Sequence, residues 1–90
     1  MAIGIRGKLP GVTQEQFEAM DKAVGTDPPP EGLIFHASGP IEGGWGILDF
    51  WESRELFDRF IAERVAPVME QAEASPPDIN EFPVHEYLKP

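Results

Sequence analysis

The chain has 90 residues, 41% apolar and 26% charged, the proportions of one ordinary globular domain spanning residues 1–90, near the size at which a single core barely sustains itself. Sixteen Asp and Glu against seven scattered Lys and Arg give a formal net charge of -9, which repels phosphate backbones and argues against a nucleic-acid partner. There is no Cys, which excludes disulfides, thiolate nucleophiles and Cys-held zinc or iron–sulfur centres and leaves His and carboxylates as the strong metal ligands.

The amino-terminal stretch MAIGIRGK lacks the long apolar run of a secretory signal. No segment approaches the roughly 20 apolar residues of a membrane helix, so a cytoplasmic protein with no membrane partner is expected. From Ala2 to Lys8, Ile3 and Ile5 alternate with Gly4, Arg6 and Lys8, the pattern of a short strand that Leu9-Pro10-Gly11 ends. Thr13 stands three residues before Gln16 in capping-box spacing, with Val12 and Phe17 at the staple positions. These signals predict a helix from Thr13 to Val24 that turns Phe17, Met20, Ala23 and Val24 inward and Asp21 outward, with Gly25 as its stop. The GTDPPPE segment cannot prolong it, because three prolines remove donors and fix φ, and it reads as an extended connection.

The stretch from Gly32 to Phe60 then organises the chain. Two β-rich runs, Leu33–Ser38 and Trp45–Trp51, flank Gly39, Pro40, Gly43 and Gly44 and signal a hairpin. If Gly39 pairs with Gly44 across a four-residue loop, Leu33, Phe35, Ala37, Leu48 and Phe50 share one uniformly apolar face. The opposite face collects Ile34, His36, Ser38, Trp45, Ile47, Asp49 and Trp51, a mixture that reads as a pocket wall rather than a plain core. Ser53 is a good N-cap for the next helix, whose apolar stripe runs through Leu56, Phe57, Phe60, Ile61, Val65, Val68, Met69 and Ala72. Pro67 lies inside that stripe and predicts a kink or a restart. After Ser75-Pro76-Pro77, alternation from Asp78 to Leu88 predicts a last strand, placed at a sheet edge by Pro83. The order βαββαβ predicts an α+β, ferredoxin-like plan: a four-stranded antiparallel sheet with two helices on one face.

That order, with GLIFHASGP, GGWGILDFWESRELFDRF and EFPVHEYL, resembles the dimeric α/β-barrel superfamily, especially the small proteins related to antibiotic-biosynthesis monooxygenases. The likeness spans nearly the whole chain, and Trp51-Glu52-Ser53 leading into Phe57 and Phe60 is its most recognisable piece. It implies a homodimer in which two open sheet faces close on each other, leaving a pocket in each subunit. With Ile3, Ile5, Phe35, Leu48, Phe50, Phe82 and Val84 packed on the helices, the open face would present Arg6, His36, Asp49, Trp45, Trp51, His85 and Tyr87. The sequence departs from the haem-degrading and quinone-forming members, whose first strand carries an Asn where this chain reads Ile3-Gly4-Ile5-Arg6.

Among the titratable residues, His36 is the natural acid or base, because imidazole titrates near neutral pH and a carboxylate can fix its tautomer. Asp49, amid Ile47, Leu48 and Phe50, needs a partner, and His36 or Arg6 would serve. Trp45, Trp51 and Tyr87 are suited to stacking on a flat apolar molecule, with Ile34 and Ile47 beside them and His85 reaching the site across a subunit interface. No HxH or HExxH spacing supports a metal site, and no cofactor-binding motif stands out. The reading that results is a cofactor-free monooxygenase-, isomerase- or cyclase-like enzyme acting on a hydrophobic aromatic or polyketide-like molecule, with His36 as base, Asp49 orienting it and Arg6 steadying an oxyanion. The competing reading is a non-catalytic homodimer that binds a ligand or assists another protein.

Overall fold

The structure, a computed structural model, describes residues 1–25, 27–86 and 88. Its elements are β1 (Ile3–Pro10), α1 (Gln14–Val24), β2 (Leu33–Ile41), β3 (Gly44–Trp51), α2 (Arg54–Phe60), a π-helical turn (Ile61–Val65), α3 (Ala66–Gln71) and β4 (Asp78–Pro83). The strands form one antiparallel sheet in the order β2-β3-β1-β4, the expected ferredoxin-like plan with β4 at an edge. The last strand ends at Pro83 rather than Leu88.

Local chemistry fixes the helix ends as the sequence indicates. The Thr13 hydroxyl accepts from the Gln16 N–H at 3.2 Å while the Gln16 side chain accepts from the Thr13 N–H at 2.9 Å, which closes a capping box. Ser53 Oγ likewise accepts from the Leu56 N–H at 3.2 Å. The break expected at Pro67 is absorbed upstream. The π turn over Ile61–Val65 widens the backbone just before the proline, which sits in the first turn of α3, and the rod runs on from α2 into α3. From the middle of that π turn Arg64 donates to the carbonyls of Val24 and Gly25, satisfying the C-terminal end of α1.

The hairpin closes more tightly than expected. Ile41 pairs with Gly44 and leaves Glu42 and Gly43 as a two-residue turn, in which Gly43 adopts φ 82°, the left-handed value required at the second turn position. Gly39 therefore meets Gly46 instead of Gly44. A shift of two residues preserves which side chains share a face, and it brings His36 directly opposite Asp49 instead of diagonal to it. Near the start of β2, Leu33 opposes Trp51 while Phe35 opposes Phe50, so Ile34 is the extra residue of a bulge.

The larger correction concerns which face the helices cover. The core is Ile3, Ile5, Trp51 and Phe57, with Leu33, Leu56, Phe60 and Ile61 packed against it. Because Ile5 pairs with Asp49 and Asp49 with His36, the mixed face of the hairpin lies under the helices. The uniformly apolar face, with Phe35, Leu48, Phe50 and Phe82, is the open one. Phe35 remains 54% exposed and Phe82 44% exposed. Phe50 bridges them, with ring centroids 6.5 Å from Phe35 and 6.3 Å from Phe82. Polarity does not mark the side away from the helices here, because the mixed face also carries Trp51, the one large side chain with no exposure among the described residues, which meets Phe57 edge-on at 5.7 Å and Phe60 in a tilted contact at 5.2 Å between ring centroids. Among the described residues, no helix is long and apolar enough to cross a membrane.

Candidate active site

Between the helix side of the sheet and the helices lies a cavity of about 140 Å³. Strand residues Ile5, Gly7, Leu9, Ile47 and Trp51 form its floor, and Phe17, Met20, Phe60, Val68 and Met69 from the helices roof it. Three titratable side chains break this apolar lining: Asp21, His36 and Asp49.

Cross-strand pairing makes the central arrangement. His36 Nδ1 and Asp49 Oδ1 are 2.5 Å apart, a short, charge-assisted contact. The second carboxylate oxygen accepts from the indole Nε1–H of Trp51 at 3.3 Å, two residues along the same strand face. Asp49 is buried, so both of its oxygens are held by donors rather than by solvent, as a buried carboxylate requires. His36 is half open, with 36% of its side chain exposed. The hydrogen bond to Asp49 raises its pKa above 6.5; burial opposes this, and the charges of Asp49 and Asp21 add to it. With Nδ1 engaged by the carboxylate, Nε2 is the nitrogen available to a molecule in the cavity.

The sequence-derived candidates separate on this frame. His36, Asp49, Trp51 and Ile47 come together at the cavity. Arg6 does not: it pairs with Leu48 and Asn80 on the open face of the sheet, because it alternates with Ile5, and it cannot reach the His36–Asp49 pair. Trp45 is buried but lies beyond the cavity, stacked on Phe17 at 5.3 Å, and its Nε1 has no partner among the described residues. Ile34 is displaced by the bulge, and Leu33 takes the place at the cavity. His85 is exposed beyond the end of β4 and lines neither the cavity nor the groove on the open face. Tyr87 lies outside the described residues.

The cavity itself lies within one chain, under the helices and partly open to solvent, and not between two opposed sheets. Sequence reasoning missed its roof and Asp21. The helical stripe signalled Met20, Phe60, Val68 and Met69 as core, but periodicity does not distinguish a filled core from a hollow one. Among the described residues, no cluster of three His or acidic side chains is arranged to hold a metal ion.

No protein-family profile matches the chain, and no curated protein matches it. Solved structures do. Rv0793 from Mycobacterium tuberculosis superposes with a TM-score of 0.74 at 13% identity over 99% of this chain and 100% of that one. SnoaB, a cofactor-independent oxygenase from Streptomyces nogalater, gives 0.67 at 13% identity over 97% and 95%. A candidate antibiotic biosynthesis monooxygenase from Chloroflexus aurantiacus gives 0.67 at 17% identity over 97% of each chain. At such identities the shared property is the fold alone, the ferredoxin-like plan that these structures have in common with this chain.

Proposed function

We propose that this chain is a small enzyme that uses no cofactor and removes a proton from a hydrophobic small molecule held in the cavity, with His36 as the base and Asp49 as the group that orients it. One observation carries this reading: the cavity is apolar almost throughout, yet a short His36–Asp49 pair stands in its wall with the other imidazole nitrogen available. The substrate proton moves to Nε2, the electron pair stays on the substrate as a delocalised anion, and Asp49 balances the imidazolium. Return of the proton at another atom makes an isomer. Transfer of the anion's electrons to dioxygen with formation of a C–O bond gives a peroxide anion that takes the proton back from Nε2 as a hydroperoxide, both oxygen atoms being retained, and the fold similarity to a cofactor-independent oxygenase supports that branch.

Hydrogen exchange tests the first step without knowledge of the product. A panel of 1,3-dicarbonyl compounds and aryl ketones, whose carbon-bound protons are acidic, is incubated with the protein in D₂O, and deuterium incorporation at that carbon above the buffer-catalysed rate is followed by NMR. His36→Gln should abolish protein-catalysed exchange while the variant remains folded. Equal exchange by wild type and variant would defeat the proposal and favour a ligand-binding or accessory role, in which the pair only stabilises the fold.

We further propose that the working form is a homodimer closed through the open sheet face. Phe35, Phe50 and Phe82 form an aromatic row there, and covering it would remove apolar area from water at about 25 cal/mol per Å². Sedimentation equilibrium should give a dimer that Phe50→Asp splits. A wild-type monomer at micromolar concentration would overturn this.

A further inference from the structure

We propose that the cavity accepts a neutral molecule built on a single aromatic ring bearing one hydroxyl, and that Gly7 is the residue that makes room for it. This rests on the reading of the cavity as the substrate site, and narrows it from hydrophobic molecules in general to the phenol class.

Size comes first. At about 140 Å³ the cavity matches the scale at which an apolar protein cavity of roughly 150 Å³ takes up one benzene ring, and it is well short of the roughly 300–1,000 Å³ common for larger ligands. A fused polycycle would have to displace Phe60 or Trp51, whose rings meet in a tilted contact at 5.2 Å between centroids in the core.

The floor explains how that space arises. Ile5, Gly7 and Leu9 succeed one another on the helix side of β1, and Ile5 and Leu9 are buried hydrophobic residues. Gly7 interrupts them. A β-carbon placed there would touch only Ile47 Cβ, at 3.7 Å, an ordinary contact with open space beyond. Its φ is not in the left-handed region, so no backbone requirement accounts for the glycine. What the glycine provides is volume. Gly7 pairs with Ile47, while Ile5 pairs with Asp49 and Asp49 with His36. His36 stands in that row on β2, so the bare floor and the base are offset by two residues along the sheet and two strand spacings across it, about 12 Å between backbones, a gap that the imidazole and a phenol span together. A ring resting on Gly7 presents its hydroxyl towards that row.

Charge selects within this size class. The titratable groups facing the cavity are two carboxylates, Asp21 and Asp49, and one imidazole, His36, in a chain of net charge -9. An anionic ring such as benzoate would meet excess negative charge in a low-dielectric site, whereas a neutral phenol can donate to Nε2 or accept from it.

Titration calorimetry with phenol, benzoate and 1-naphthol, combined with amide chemical-shift mapping, tests this on the full chain. Phenol should bind and shift the amides of Gly7 and Ile47, with benzoate and 1-naphthol weaker by about tenfold or more. Gly7→Val should weaken phenol by at least about tenfold, Gly7→Ala by less, and Gly39→Ala, on the open face, should bind as wild type does. If Gly7→Val does not fold, Gly7→Ala against Gly39→Ala carries the comparison. Equal or tighter binding of 1-naphthol or benzoate, or unchanged phenol binding in the foldable Gly7 variant, overturns the inference. The two proposals fail separately. His36-dependent exchange of a larger substrate without a single-ring preference retains the enzyme and removes this inference; Gly7-dependent phenol binding without His36-dependent exchange does the reverse.

Discussion

Replacing Asp49 by Asn probes the pair on which the site depends. The buried carboxylate holds His36 Nδ1 at 2.5 Å and Trp51 Nε1 at 3.3 Å. A hydrogen bond to a charged group contributes about 1.5–3 kcal/mol, and the partial exposure of His36 reduces this to about 1–2 kcal/mol. The sign of the pH dependence follows from His36. Its pKa in the folded state is raised above 6.5, so the stabilisation is fully present below 6.5 and is lost as pH rises through the raised value. Asp49→Asn should therefore destabilise the protein most at about pH 6 and by about 1 kcal/mol less at about pH 9.5, where the imidazole is neutral. Urea unfolding of both proteins at the two pH values measures the difference, and NMR titration of the His36 Cε1 proton gives its pKa directly. In Asp49→Asn that pKa should fall to 6.5 or below, because burial then acts without the carboxylate. A destabilisation independent of pH, or a His36 pKa indifferent to the substitution, would refute the account. In turnover the same shift predicts a rate that rises with pH through the His36 pKa, since only the neutral imidazole accepts a proton.

Two further substitutions test the frame. A β-carbon at Gly44 would fall against the backbone carbonyl of Leu9 and crowd the amide of Gly11, neither of which can swing away, so Gly44→Ala should destabilise by about 1–3 kcal/mol in urea melts; a loss under about 0.5 kcal/mol would show that the β1–β3 end yields easily. Arg64→Met keeps a long side chain near Phe60 but removes the donors to Val24 and Gly25; amide exchange at the C-terminal turn of α1 should accelerate, with a loss of about 1 kcal/mol, and unchanged protection would mean that solvent caps that turn equally well.

Much of this architecture is legible in the chain. Capping signals at Thr13 and Ser53, prolines between elements and the alternation of Ile3 with Ile5 suffice to place the strands and helices in βαββαβ order. The pairing of His36 with Asp49 is nearly legible, because any register that differs by an even number of residues leaves both on one face. What the pattern does not reveal is which face the helices take. Both sides of this sheet are rich in aromatic residues, Trp45 and Trp51 on one and Phe35, Phe50 and Phe82 on the other, so a contrast between apolar and polar sides is missing. That inversion separates Arg6 from the site, and a bulge that alternation alone does not announce removes Ile34 from it. Gly7 carries no positive signal at all, because its contribution is a side chain that is not there.

The placement of β1 also governs the order in which the molecule can assemble. The β2–β3 hairpin closes through two residues and can form from local sequence on the microsecond scale. By contrast β1 is the hydrogen-bonded neighbour of both β3 and β4, and Ile3 pairs with Pro83. Its pairing with β3 must wait until α1 and the proline-rich connection are looped out, its pairing with β4 until nearly the whole chain is, and the entropy of closing each loop is spent before that neighbour is gained. Until then the hairpin presents the edge of β3 as bare backbone donors and acceptors, beside the aromatic row of Phe35 and Phe50, a surface on which a nascent chain can join a second chain as readily as its own first strand.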